Sequence, residues 1–292
     1  MQLEFTKMHG AGNDFVMVED MNDRIDLDAE QVAALCERHF GIGADGVIVV
    51  KPSPRPECAA YMHYINADGS LAQMCGNGVR CFAKYLVDHK LLPQGATSFV
   101  ADTLAGPRPI TFEVDENGLM TRATVDMGEP ILDPAKVPTT LAATKTVEGL
   151  GQAALEAPLL VEGQTWPMNC VSMGNPHAVT FVDDPEALDL AHLGPLFEAN
   201  AAFPEKTNTE FATVRADGSI RMRVWERGCG ETWACGTGAC ATAVAACLTG
   251  RAGRRSTLVL NGGVLSIRWD EQTNHVFMTG PAATSFTGTV TV

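Results

Sequence analysis

The sequence predicts an α/β (α+β) protein of two pseudosymmetric domains, each a curved, mostly antiparallel sheet or barrel wrapped around a central helix. Three observations predict it. A cysteine followed by Gly-x-Gly occurs twice, in "MCGNGVRC" (74–81) and "ACGTGAC" (234–240), each time opening a helical pattern. Short alternating or β-branched runs surround both. Landmarks also recur at nearly one spacing: Asn13 and Asn175 are 162 positions apart, Cys75 and Cys235 160, and Asn66 and Glu226 160. A fixed offset in the same order is the mark of an internal duplication.

The elements follow from local pattern. After the first Gly-x-Gly, Val79, Phe82, Ala83, Leu86 and Val87 recur with helical period, and Pro93 closes the segment. After the second, "ACATAVAACL" is apolar on every side and stops at Gly250, as a buried central helix would. "VIVV", "TEFATV", "IRMRVW" and "TLVLNGGVLSIRW" read as strands. The second "ADGS" (216–219) reads as a hairpin turn. Residues 132–165, rich in Ala, Thr and Leu, read as an insert, and the boundary is expected just before it, near Gly128. The predicted domains are 1–127 with 281–292 returning, and 128–280, with the active site expected in the cleft between them.

With 292 residues, 46% of them hydrophobic, two cores can be built. Against 35 acidic residues stand 21 basic ones, a net charge of −14, which argues against nucleic acid and anionic membrane as partners. No apolar run has the length of a membrane span, and "MQLEFTKMHG" lacks an apolar signal core, so a cytoplasmic protein is expected. Nine cysteines, an odd count in a chain this long, fit reduced thiols better than a disulfide framework.

Neither cysteine pair has metal-ligand spacing: Cys75 and Cys81 are C-x5-C, Cys235 and Cys240 C-x4-C. Cys81 lies well round its helix from Cys75. Cys81 and Cys240, like Cys36, Cys58, Cys170 and Cys247, read as packed thiols. Cys75 and Cys235 stand instead at helix mouths, where free N–H groups and the positive dipole end gather. The dipole is expected to lower both thiols' pKa values, and the glycine N–H groups to form carboxylate pockets. Two such cysteines suit proton transfer on opposite faces of one carbon. A thiolate removes the α-proton, the opposite thiol delivers another, and configuration inverts without a cofactor.

At this point the residues resemble a known family. "GAGNDFV", "GIGADGVIVV", "NADGSLAQMCGNGVRC", "VSMGNPHAV", "NTEF", "RVWERGCGETWACGTGACA" and "MTGPA" follow in order the motifs of the diaminopimelate epimerases, from about residue 7 to 285. The resemblance implies interconversion of L,L- and meso-diaminopimelate, on the route to lysine and peptidoglycan precursors, with no pyridoxal phosphate and no metal. By analogy it implies a homodimer. It places the catalytic pair on Cys75 and Cys235 and the anion pockets on Gly76-Asn77 and Gly236-Thr237. Substrate contacts fall on Asn13, Asn66, Asn175, Asn208, Glu226 and Arg227, with His177 and Glu226 near the thiols. Arg227 is suited to grip a carboxylate bidentately, the asparagines offer both donors and acceptors, and Glu226 accepts from an ammonium. Three positions depart from the commonest pattern. Gln73 stands where acidic residues are frequent, Trp233 replaces a smaller apolar residue and is expected to reshape the packing behind Cys235, and Gly46 stands where some members carry glutamine. Two other readings compete: a two-cysteine proline or hydroxyproline racemase, and a non-catalytic thiol switch or binding protein.

Overall fold

The computed structural model describes residues 1–292, which form two compact units: Met1–Asp126 with Thr279–Val292, and Met127–Met278. The first unit contains β1 (Gln2–Gly10), β2 (Asn13–Glu19), α1 (Ala29–Cys36), β3 (Gly46–Lys51), β4 (Ala60–Asn66), α2 (Gly76–Asp88), β5 (Ser98–Asp102), β6 (Arg108–Val114) and β7 (Met120–Asp126). The C-terminal strand Ala283–Thr291 pairs antiparallel with β1. From there the ladder runs β1–β2 antiparallel, β2–β3 parallel, β3–β4 antiparallel, β4–β5 parallel, then β5–β6 and β6–β7 antiparallel. Both parallel pairs need a crossover, and α1 and α2 supply them.

The second unit opens with a small hairpin, β8 (Lys145–Val147) and β9 (Gly151–Ala153), inside the segment read as an insert. It continues with β10 (Ala157–Val161), β11 (Gln164–Ser172), β12 (Pro176–Phe181), α3 (Leu190–Glu198), β13 (Asn208–Val214), β14 (Ile220–Glu226), β15 (Gly230–Thr232), α4 (Gly236–Leu248), β16 (Arg255–Val259) and β17 (Val264–Trp269), and ends within β18 (Val276–Gly280), whose last two residues belong to the first unit. Its ladder runs β10–β11 and β11–β12 antiparallel, β12–β13 parallel, β13–β14 antiparallel, β14–β16 parallel and β16–β17 antiparallel. Both units therefore follow one strand pattern, with helices at the same two crossovers.

The repeat holds at residue level. Phe15 pairs with Gly46 across β2 and β3, and His177 pairs with Asn208 across β12 and β13. Each residue of the second pair lies 162 positions after its counterpart in the first. The long helices α2 and α4 are the predicted ones, and α4 is buried on nearly every side. Two short helices add to the one expected per unit. Asp28 and Gln31 form a capping box for α1, and the Asp189 carboxylate accepts from His192 N at the start of α3. In the first unit Leu3, Phe5, Val16, Val18, Val47, Val49 and Ile65 pack around α1. In the second, Trp166, Phe197 and Phe211 meet edge to face with centroids 5.2–6.1 Å apart, an arrangement aromatic quadrupoles favour. No helix is long and apolar enough to cross a membrane.

No disulfide is present, and Cys36, Cys58, Cys81, Cys170 and Cys240 are buried as expected. Burial pushes the Cys81 and Cys170 thiols up to about 12. Cys247 differs from expectation in being only partly buried.

Candidate active site

Each of the two cysteines caps a helix with its sulfur. Cys75 is the N-cap of α2 and its Sγ accepts from Gly78 N at 3.4 Å. Cys235 is the N-cap of α4 and accepts from Gly238 N at 3.4 Å. The extended backbone at both caps aims the side chain back over the first turn, the geometry in which Ser or Asp usually works. Gly76-Asn77 and Gly236-Thr237 are the first helical residues, where N–H groups point out of the helix.

The first mouth is built of amides. Cys75 Sγ lies 3.4 Å from Asn13 Oδ1, which also accepts from Asn77 Nδ2 at 3.3 Å. Asn13 Nδ2 donates to Asp45 Oδ2 at 2.5 Å. Beneath them Arg80 is fully buried, donating to Asn77 Oδ1, Gly76 O and Pro281 O at 2.9–3.1 Å. Asn66 sits at the end of β4 and donates to Ser70 Oγ at 3.0 Å.

The second mouth is built of titratable groups. Cys235 Sγ is 3.5 Å from Thr237 Oγ1. His177, from β12, is bound on both ring nitrogens, with Nε2 3.0 Å from Asn175 Oδ1 and Nδ1 2.7 Å from Glu210 Oε1. His177 and Glu210 are both 0% exposed. An asparagine Oδ1 only accepts, so Nε2 carries a hydrogen. The bond between Nδ1 and Oε1 joins the two buried side chains directly. Glu226 accepts from Thr232 Oγ1 and lies against Cys235. Burial pushes the Glu226 carboxyl up, opposed by its bonds to Thr232 and Cys235.

Here the sequence expectation for one thiol is corrected. The helix mouth was expected to lower Cys235, but its thiol is raised well above the ordinary value. Burial is the largest cause, followed by the Glu226 and Glu210 carboxyls. The bonds from Thr237 and Gly238 pull the other way and lose. A terminal dipole worth about 0.3–1 kcal/mol does not offset desolvation beside two acids. Glu226→Gln is therefore expected to move the pH profile of Cys235 alkylation to lower pH, measured by mass spectrometry on the folded protein. An upward displacement would contradict this electrostatic account.

His177, Glu210 and Cys235 each bring one donor atom within 4.8 Å of the others, the group of side chains here with a geometry able to hold a metal ion. Glu210 escaped the sequence reading. Its signal was a lone acid inside the strand "NTEFATV", whose neighbours are buried.

The other predicted residues are placed as follows. Asn208 is buried, donates to Pro176 O at 2.8 Å and accepts from Arg227 N at 2.9 Å, so it ties β12 to the turn after β14. Arg227 is exposed and donates to Glu205 O at 2.9 Å. At Gly46 a Cβ would lie 2.5 Å from Ile65 O, so that position has no room for a side chain. Trp233 is 65% exposed, which corrects the expectation that it packs behind Cys235.

The repeat makes the two mouths comparable and shows where they diverge. Phe15 stands at the position of His177, Ile48 at that of Glu210, and Asn66 at that of Glu226. A Cβ on Gly78 would meet Ile48 Cδ1 at 3.1 Å, and one on Gly238 would meet Glu210 Oε1 at 2.5 Å. One backbone plan thus carries an apolar floor under Cys75 and a protonic floor under Cys235.

Comparison with known proteins agrees with this geometry. A family model described as diaminopimelate epimerase matches residues 5–132 and 169–285, leaving out almost the whole of the insert. A diaminopimelate epimerase of Agathobacter rectalis is 45% identical over 290 residues, covering 99% of this chain and 100% of that protein. One of Desulfovibrio desulfuricans is 48% identical over 286 residues, covering 98% and 97%. Among solved structures, a PhzF-family phenazine biosynthesis protein of Bacillus anthracis has a TM-score of 0.70 at 16% identity, covering 100% of each chain. A hydroxyproline epimerase of Agrobacterium vitis has a TM-score of 0.68 at 15% identity, covering 99% of this chain and 91% of that one. These structural likenesses establish the shared fold.

Proposed function

The chain belongs to the diaminopimelate epimerase family, and from that premise we propose that it interconverts L,L- and meso-diaminopimelate by a two-base reaction of Cys75 and Cys235. It is an isomerase of lysine biosynthesis. What is proposed is the division of labour. One sulfur, as thiolate, takes the α-proton, and the other, as thiol, returns a proton to the opposite face. The observation that carries this reading is that two cysteines, and no other residue type, cap the two equivalent helices of the repeat.

The first-turn N–H groups at Gly76-Asn77 and Gly236-Thr237 receive the reacting carboxylate, whose oxygens gain charge as the α-proton leaves. Asn13 and Asn175 flank the two mouths at equivalent positions. Exposed Arg227, beside Glu226, takes the distal carboxylate, and Asn66 and Asn208 complete the distal site. Glu226, bonded to Thr232 Oγ1 and set against Cys235, accepts from an ammonium of the substrate. Nine cysteines, none of them in a disulfide, support a reducing, cytoplasmic setting, and family resemblance supports a homodimer.

The test is solvent exchange. In heavy water the protein is expected to incorporate deuterium at the α-carbon of diaminopimelate as configuration inverts, and to leave proline unlabelled. Exchange into proline alone would overturn the substrate assignment. Absence of exchange into either would overturn the acid–base reading in favour of a binding protein.

A further inference from the structure

Cys75 is one end of a hydrogen-bond chain whose direction can be read from its termini. Arg80 has only donors and gives one to Asn77 Oδ1 at 2.9 Å. That turns Asn77 Nδ2 toward Asn13 Oδ1, 3.3 Å away. At the far end, the Asp45 carboxylate only accepts, and takes Asn13 Nδ2 at 2.5 Å. A donor-only residue at one end and an acceptor-only residue at the other leave neither amide a choice. Asn13 must show its carbonyl oxygen, not its NH2, to Cys75.

We infer that Asp45 is a positioning residue that fixes the Asn13 amide so that Oδ1 accepts from the Cys75 thiol, keeping the proton on that sulfur until it is transferred. The inference rests on the proposed role of Cys75, but its test does not need turnover. The sulfur has an acceptor on one side, Asn13 Oδ1, and a donor on the other, Gly78 N. In the thiol form the S–H bond points at Oδ1. When the proton passes to the α-carbon, a C–H bond replaces the S–H bond, and the thiolate is left facing Gly78 N–H and the α2 terminus.

Asp45 has two further partners. Its Oδ1 takes Arg38 Nη2 at 2.8 Å, and its Oδ2 takes Asp14 N at 3.1 Å besides Asn13. The charged groups around the chain are Arg80 on α2, Arg38 and Asp45 in the loop before β3, and Lys7 and Asp14 on β1 and β2, with Asp14 paired to both Arg38 and Lys7. Neither terminus recurs in the other half: Thr207 stands at the position of Asp45 and Cys240 at that of Arg80. There Cys235 faces the rotatable hydroxyl of Thr237 instead. The directional anchor belongs to one thiol only.

Asp45→Asn leaves one acceptor oxygen for three donors, so Asn13 is no longer held. In a Cys235→Ser background, alkylation of Cys75 by iodoacetamide, followed by peptide mass spectrometry across pH, reads the effect. The rate at neutral pH is expected to rise about three- to tenfold, the loss of one hydrogen bond to the thiol. The plateau at high pH, which reports access, should stay the same. Asn13→Ala, at a partly exposed site, should reproduce the rise. Adding Asp45→Asn to Asn13→Ala should then change nothing, because Asp45 acts through Asn13. An unchanged neutral rate in Asp45→Asn and in Asn13→Ala overturns the inference. So does a further rise in the double variant, which would mark a direct charge effect, or a raised plateau alone, which would mark loosened structure.

Discussion

Cys75→Ser and Cys235→Ser are each expected to lower epimerisation by at least about a thousandfold while leaving the fold intact. The size follows from the task, since a positioned acid or base contributes roughly 10²–10⁴ in rate and a hydroxyl cannot replace a thiol in either role near neutral pH. The intact fold follows from the position. Both sulfurs are N-caps, accepting from Gly78 N and Gly238 N, and serine is a preferred N-cap residue. A serine hydroxyl therefore keeps the cap and removes the chemistry. Steady-state kinetics with circular dichroism melts checks both halves of the prediction. Near-wild-type turnover in either variant would refute the two-base scheme. A collapse of the melting temperature in both would show that the sulfurs matter as caps more than as bases. The thiol-switch reading predicts no epimerisation to lose, so wild-type turnover itself separates it from the proposal.

Most of the architecture was legible because it is written in local signals. The two Cys-Gly-x-Gly starts and the apolar runs after them mark α2 and α4, and the offset of about 160 carries the duplication. The short helices α1 and α3, of 8 and 9 residues, were not read, although Asp28 and Gln31 offered a capping box. Helices this short draw their stability from packing, which the local pattern does not display. At the site, the residues at helix starts and in Gly-Asn turns were legible. Glu210 was not, because its meaning comes from His177, 33 positions earlier. Asp45 was hidden in the same way: "GADG" looks like a turn until Asn13, 32 positions away, is seen to donate to it. The thiol of Cys235 shows the limit of local reasoning in energetic terms. The helix start favours thiolate, yet burial beside Glu226 and Glu210 outweighs it, and both carboxyls arrive from other strands.

The divergence of the two halves yields the second large effect. Gly238→Ala is expected to cut activity about a hundredfold or more, while Gly78→Ala, its counterpart, is nearly silent. On propensity alone the two should behave alike, since alanine in a helix is favoured over glycine by up to about 1 kcal/mol. Their surroundings decide otherwise. A Cβ on Gly78 would meet Ile48 Cδ1 and Met62 Cε, each at 3.1 Å, both flexible apolar ends able to give by a few tenths of an ångström. A Cβ on Gly238 would lie 2.5 Å from Glu210 Oε1, so the carboxyl must move. It has nowhere cheap to go. Glu210 is fully buried and hydrogen-bonded to His177 at 2.7 Å, and displacing it costs about 1–3 kcal/mol for a buried polar group left without its partner. The displaced His177 in turn loosens Asn175, and Gly238 N, the donor to Cys235, is shifted at the same time. Kinetics of the two alanine variants, with thermal melts, provide the check. Equal and small effects would mean that the His177–Glu210 pair tolerates displacement, and that the floor under Cys235 matters no more than the apolar floor under Cys75.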